Sequence, residues 1–239
     1  TVSIDVNRMA TIGIPDENWY GNETIIFTAT DLDGGSDNDV AIFTVTPVND
    51  SPIVTDVPDQ TIDEGGVFTT ISLDNYVSDV EDEDSEITWS YSGINELTVM
   101  IDENRVATIG IPNVNWYGTE TITFAATDKD NESSVNAATF TVTSVNDLPI
   151  ASGIPNQTIP EGSLFSTIKL DNFVSDVEDT DAEITWSYSG NTDLTVTIDV
   201  NRVATIGIPH VNWYGSETIL FTATDLDGGS DNDVVIFTV

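Results

Sequence analysis

Carboxylates gather in a few short segments of the chain. One reads Ser78-Asp79-Val80-Glu81-Asp82-Glu83-Asp84 and recurs as Ser175-Asp176-Val177-Glu178-Asp179-Thr180-Asp181. A second reads Asp31-Leu32-Asp33-Gly34-Gly35-Ser36-Asp37-Asn38-Asp39, then Asp128-Lys129-Asp130, then Asp225-Leu226-Asp227-Gly228-Gly229-Ser230-Asp231-Asn232-Asp233. Like charges this close repel, at a cost on the order of 1 kcal/mol per pair near a surface. A hard divalent cation removes that cost. Calcium takes about six to eight oxygen ligands from carboxylates, amide carbonyls and backbone carbonyls. Asp-x-Asp offers two such oxygens from one loop, and Gly-Gly lets the backbone turn its carbonyls inward. Transition metals are poorly served by a chain with no Cys and one His. The same loops, fully solvated, would serve solubility or adaptation to high salt, and the sequence leaves that reading open.

Composition narrows the partners. The 42 acidic residues outnumber the 5 basic ones, for a formal net charge of −37. Phosphate binding needs Lys and Arg, so nucleic acid is excluded as a partner class. Anionic membrane surfaces are disfavoured for the same reason. Yet 39% of the residues are hydrophobic, so the chain folds instead of behaving as an acidic tail. It has no run of 18 apolar residues, so this segment is not expected to insert into a membrane. No disulfide can stiffen it.

The acidic segments recur because the chain repeats. Trp19, Trp116 and Trp213 are spaced by 97 residues, as are Arg8, Arg105 and Arg202, and Pro52 and Pro149. A fixed long period marks an array of equivalent units. Val48-Asn49-Asp50-Ser51-Pro52 recurs as Val145-Asn146-Asp147-Leu148-Pro149, and these runs are taken as joints. The expected division is a half repeat over 1–47, a complete repeat over 48–144 and another over 145–239. A half repeat cannot bury its own core. The expectation is a window on a longer polypeptide, or a half repeat completed by another chain.

Within 48–144, Ile87, Trp89 and Tyr91 alternate with Thr88, Ser90 and Ser92; Ile122, Phe124 and Ala126 alternate with Thr121, Thr123 and Ala125. Period two with β-branched and aromatic residues is the strand signal. Seven strands are expected, near 53–62, 67–73, 86–92, 97–102, 105–111, 119–127 and 136–143. They predict an all-β fold: tandem seven-stranded Greek-key β-sandwiches, arranged end to end. An odd strand count sends the termini of a unit to opposite poles. Both acidic loops then fall at the amino-terminal pole, beside the Asn-Asp joint, while Glu64 falls at the other.

Trp89 and Trp186 lie mid-strand and read as core. Trp19, Trp116 and Trp213 instead belong to the repeated loop Asn-Trp-Tyr-Gly, between the fifth and sixth strands. Their rings serve either as plugs at a corner of the sandwich or as stacking platforms for a sugar ligand. His210 is a surface residue without partners. Catalysis is not expected. One His allows no repeated Ser-His-Asp set, glycosidase carboxylate pairs need a cleft, and neither Lys129 nor Lys169 is placed for an amide crosslink.

These features resemble the cadherin-like, Ig-like tandem repeats of giant bacterial and archaeal surface adhesins. The resemblance rests on Asn49-Asp50-Ser51-Pro52, Asn146-Asp147-Leu148-Pro149, Glu64, Glu161, the Tyr-Gly pairs 117–118 and 214–215, and Ala-Thr-Asp-x-Asp-Gly-Gly at 29–35 and 223–229. It implies calcium (Ca2+) at the joints. One joint would use Asn49, Asp50, Asp79, Glu81, Asp82, Asp128 and Asp130. The next would use Glu64, Asn146, Asp147, Asp176, Glu178, Asp179, Asp225 and Asp227. The chain departs from cadherins in lacking their Asp-Arg-Glu loop and, at Asp128-Lys129-Asp130-Asn131-Glu132, both glycines. The expected function is a non-enzymatic structural segment of an extracellular surface adhesin, stalk or filament, stiffened by calcium. Its partners would be neighbouring repeats of the same or identical chains, and a cell-surface glycan or protein. The alternatives are a glycan- or protein-binding module using the aromatic corner, or a filament subunit completed by strand exchange.

Overall fold

Alternating apolar and hydroxyl residues become strands almost wherever they occur. The computed structural model describes residues 1–239. It contains no α-helix, only three 3-10 turns at Leu73–Tyr76, Asp84–Glu86 and Leu170–Phe173. The chain divides into two units, Thr1–Thr143 and Ser144–Val239.

The first unit opens with two antiparallel hairpins. Strands β1 (Val2–Ile4) and β2 (Ala10–Ile12) form one; β3 (Gly21–Thr30) and β4 (Ser36–Val45) form the other. A sandwich follows, built from β5 (Ile53–Val54), β6 (Gln60–Asp63), β7 (Ile71–Ser72), β8 (Val77–Ser78), β9 (Thr88–Ser92), β10 (Thr98–Ile101), β11 (Val106–Gly110), β12 (Gly118–Thr127) and β13 (Ser133–Thr143). One sheet has the order β6-β13-β12-β9, the other β10-β11-β7. Ile122, Phe124, Ala126, Ala138 and Phe140 are fully buried on the inner face, and Phe68 meets Phe140 edge-on with centroids 5.2 Å apart. Each large side chain buried this way stabilises the unit by roughly 1.5–3 kcal/mol. Ile25 and Phe27 of the opening hairpins correspond to Ile122 and Phe124, but are only half-buried.

The second unit repeats the plan. Its strands are β14 (Ile150–Ala151), β15 (Gln157–Thr158), β16 (Ile168–Lys169), β17 (Val174–Ser175), β18 (Thr185–Ser189), β19 (Thr195–Ile198), β20 (Val203–Gly207), β21 (Ser216–Thr224) and β22 (Ser230–Thr238). The sheets are β15-β22-β21-β18 and β16-β20-β19, closed over Ile219, Phe221, Val235 and Phe237.

Three details differ from the seven antiparallel strands expected. The first strand is split. β5 pairs with β8, whereas β6 crosses to the other sheet and pairs with β13 in parallel. Pro58 interrupts the ladder, having no N–H to donate. Side chains of β13 and the gap take up the loose groups: Asn136 Oδ1 accepts from Val57 N at 3.0 Å, and Asp59 Oδ1 from Thr139 N at 2.6 Å. The run 67–73 forms a strand only at Ile71–Ser72 before the 3-10 turn. In place of a ladder, the Gln60 side chain bonds both the N–H and the carbonyl of Thr69. The third difference is β8 itself, a two-residue strand at Val77–Ser78 outside the expected seven.

Candidate metal centre

The two acidic loops and the Asn-Asp joint meet at one end of the sandwich in the first unit. Asn49 Nδ2 donates to Asp128 Oδ2 at 2.9 Å, across 79 residues of sequence. Asp50 N donates to Glu81 Oε2 at 3.0 Å. Lys129 N donates to Asp82 Oδ2 at 3.1 Å, tying one acidic loop to the other. Asp79 Oδ1 accepts from the N–H groups of Glu81 and Asp82, both at 2.9 Å. Asp128 is 4% exposed. The Asn49 amide, helped by backbone N–H groups of its own loop, holds its carboxyl below the usual range against the opposing effect of desolvation. Tyr20, Pro47, Asn49, Glu81, Asp82, Lys129 and Asp130 line an open cleft here.

The second unit reproduces this scaffold with the same partners. Asn146 Nδ2 donates to Asp225 Oδ2 at 3.0 Å, Asp147 N to Glu178 Oε2 at 3.1 Å, and Leu226 N to Asp179 Oδ2 at 2.8 Å. Asp176 Oδ1 accepts from Glu178 N and Asp179 N. Asp225 is buried, and its carboxyl is likewise held low, chiefly by Asn146. Asp227 is exposed in the turn.

What remains after these bonds bears on metal binding. Asn49 Oδ1 and Asp79 Oδ2, and in the second unit Asp176 Oδ2 and Glu178 Oε1, are buried acceptors with no hydrogen-bond partner. Buried polar atoms are normally satisfied, and an orphan needs an explanation such as an ion. Oxygen is the only donor type offered, as a hard cation requires. Glu64 stands elsewhere in the first unit: its N–H bonds the carbonyl of Thr143, the last residue of β13. It is therefore at the end of the sandwich opposite Asn49, as the strand order predicts.

The loop without glycines keeps its shape. Gly228 has φ +92°, and Asn131 adopts φ +70° at the matching place, a conformation Asn tolerates better than most residues. Asp128 N reaches the Glu132 carbonyl at 3.1 Å, as Asp225 N reaches that of Gly229 at 3.0 Å. A Cβ on Gly229 would strike Asp225 Oδ2 and the Leu148 side chain. The first unit has Ser51 and Glu132 at those two places, and they bond to each other.

The tryptophan of the aromatic corner packs inward, while Tyr20, Tyr117 and Tyr214 are exposed. Trp116 and Trp213 lie half-buried against the cores of their units. Trp116 Nε1 donates to Glu96 Oε2 at 2.6 Å, and Trp213 Nε1 to Asp193 Oδ2 at 3.2 Å. Trp19 shares an apolar depression with Ile12, Ile25 and Phe43. Trp89 and Trp186 also pack on the core, each with its Nε1 buried and unpartnered.

Two further sets of residues were given no role from sequence. Glu120 accepts from the N–H groups of Asn95, Glu96 and Leu97, and Glu217 from those of Thr192, Asp193 and Leu194. Arg105 and Arg202 each grip an aspartate of a 3-10 turn in a two-pronged ion pair, Asp74 and Asp171. Both arginines have φ +59°. The signal was available in the recurrence of these pairs at the repeat period.

No curated protein sequence matches the chain. Among solved structures it is similar to protocadherin gamma B2 extracellular cadherin domains 1–5, with 16% identity and a TM-score of 0.57. It is also similar to PcdhgB3 EC1–4 (15%, 0.59) and to protocadherin gamma B7 extracellular cadherin domains 1–4 (18%, 0.54). Each comparison covers 100% of this chain, which spans 50%, 63% and 64% of those structures respectively. At such identities the likeness is one of fold: a tandem cadherin-like, Ig-like sandwich. With the model of the bacterial Ig domain matching residues 49–143 and again 146–238, the chain belongs to that family.

Proposed function

We propose that this chain is a non-enzymatic structural segment of a large extracellular surface or filament protein, with calcium bound at the acidic ends of its repeats to stiffen the joints. The half repeat 1–47 and the complete repeats 48–144 and 145–239 are its mechanical elements. The observation that supports the reading most is the identical scaffold at Asn49/Asp79/Asp128 and Asn146/Asp176/Asp225, which in both units leaves buried oxygens without a donor. Asp50, Glu81, Asp82 and Asp130 would complete one ligand set. Asp147, Glu178, Asp179 and Asp227 would contribute to the next. Calcium would supply the positive charge that these carboxylates lack, and the backbone N–H bonds to Oδ1 of Asp79 and Asp176 would keep their free Oδ2 atoms oriented.

Small-angle X-ray scattering of the full chain in calcium and in excess chelator tests the reading. A smaller maximum dimension and a more flexible profile are expected on chelation. Unchanged scattering would remove the stiffening mechanism, and a calorimetric titration without heat would remove the ion as well.

A further inference from the structure

Each copy of the acidic scaffold uses the same backbone and amide bonds, so a difference between copies stands out. Lys129 occupies the place taken by Leu226 in the second unit and by Leu32 in the opening hairpin. Of the five basic residues, Arg8, Arg105 and Arg202 are one repeated hairpin position, and Lys169 pairs with Asp171. Lys129 is the one cation set within an acidic segment. Its Nζ lies 3.1 Å from Asp82 Oδ1 and 2.9 Å from Glu86 Oε1. The Asp82 side chain is 4% exposed. The pair is therefore well shielded on the carboxylate side, and salt screens it less than a surface pair.

We infer that the Lys129 ammonium is a tethered cation that occupies part of the charge deficit of the first unit's acidic cleft, so that this cleft binds calcium more weakly than its counterpart at Asp176, Asp179 and Asp225. The inference rests on the calcium reading above. Asp82 is one of the expected ligands, and an ammonium on its Oδ1 both neutralises it and repels a second cation. The orphan oxygens of Asn49 and Asp79 remain, so the cleft is weakened, not closed. A fixed unit charge within a few ångströms of a partly solvated ion shifts its affinity by about tenfold. The two repeats would then fill at different calcium concentrations, which gives the array a graded response in place of one sharp threshold.

The test is a calcium chloride titration of the 15N-labelled full chain, read at the amides of 128–132 and 225–229. The second loop is expected to titrate at about tenfold lower calcium than the first. Lys129→Leu, which copies the second unit, should bring the two midpoints together; Lys129→Gln should do the same while keeping a polar side chain. Leu226→Lys should weaken the second loop alone. Equal midpoints in the unmodified chain, or a first-loop midpoint unmoved by both Lys129 variants, would overturn the inference and leave the calcium reading standing. If neither loop responds at any concentration, the calcium reading itself fails.

Discussion

Glu217 is 9% exposed and sits beneath the turn Thr192–Leu194. Its Oε1 and Oε2 collect three backbone N–H groups and the Thr192 hydroxyl. Burial alone would raise its pKa, but the N–H groups outweigh burial and hold it below the ordinary 4.5. Glu120 does the same for Asn95, Glu96 and Leu97. A depressed carboxylate stabilises the fold fully above its unfolded pKa, and that contribution disappears as pH falls through the lower folded value. Both units should therefore lose stability below the usual glutamate range. Glu217→Gln keeps the volume but replaces charge-assisted acceptance by one weaker acceptor and an NH2 group facing N–H donors. The expected loss is about 1–3 kcal/mol at neutral pH, with a flatter acid limb in denaturant midpoints measured against pH. An unchanged midpoint would mean that the turn carries no load. These carboxylates also qualify the link between acid and metal in the sequence. Asp231 and Asp233 lie in an acidic run, yet they accept from Ala151 N and Ile154 N and hold the split first strand in place.

At the scale of elements, the loop between β11 and β12 closes the sandwich with Trp116. Gly118 follows with φ +154°, and a Cβ there would come within 3.0 Å of the indole. The ring and the glycine thus require each other, and the N–H bond to Glu96 fixes the ring's tilt. Trp116→Ala is expected to destabilise the first unit by about 2–4 kcal/mol, less than a fully buried Trp because the ring is half-exposed. Trp116→Phe should cost less, since it keeps part of the packing and loses the hydrogen bond and one ring of the indole. Thermal unfolding followed by near-ultraviolet circular dichroism reads both. A stable Trp116→Ala domain that had lost affinity for a glycan would return the ring to the role of stacking platform. Strand positions were readable from sequence because period two directly reports one buried face, as at Ile122, Phe124 and Ala126. The break at Pro58 and the shrinkage of 67–73 were not, because they depend on which sheet a strand joins. The acidic segments could be read and grouped by their repeat. The division of labour inside them could not, because an aspartate that accepts N–H bonds and one that faces an open cleft have the same spacing.

At the scale of the whole molecule, 42 carboxylates on 239 residues with 5 basic partners set the balance of forces. Ion pairs answer only a few of them: Asp74 with Arg105, Asp171 with Arg202 and Lys169, Asp82 and Glu86 with Lys129. The rest repel, and they repel more in a compact unit than in an expanded chain. Self-repulsion of this kind opposes folding and is screened by salt, with a Debye length of about 30 Å at 0.01 M and 3 Å at 1 M. The chelated protein should therefore melt at a higher temperature as sodium chloride rises from about 0.01 M to 1 M, the opposite of what loss of its few ion pairs would produce. Millimolar calcium should give a similar rise at low salt, because a divalent ion at a cleft neutralises where the charge is densest. Adding both should give less than the sum, since each removes part of the same repulsion. Differential scanning calorimetry over this two-by-two set of conditions decides the matter. If salt lowers the melting temperature, ion pairing outweighs repulsion. If calcium and salt add independently, relief of repulsion is not what calcium contributes, and its whole effect comes from the coordination geometry of the clefts.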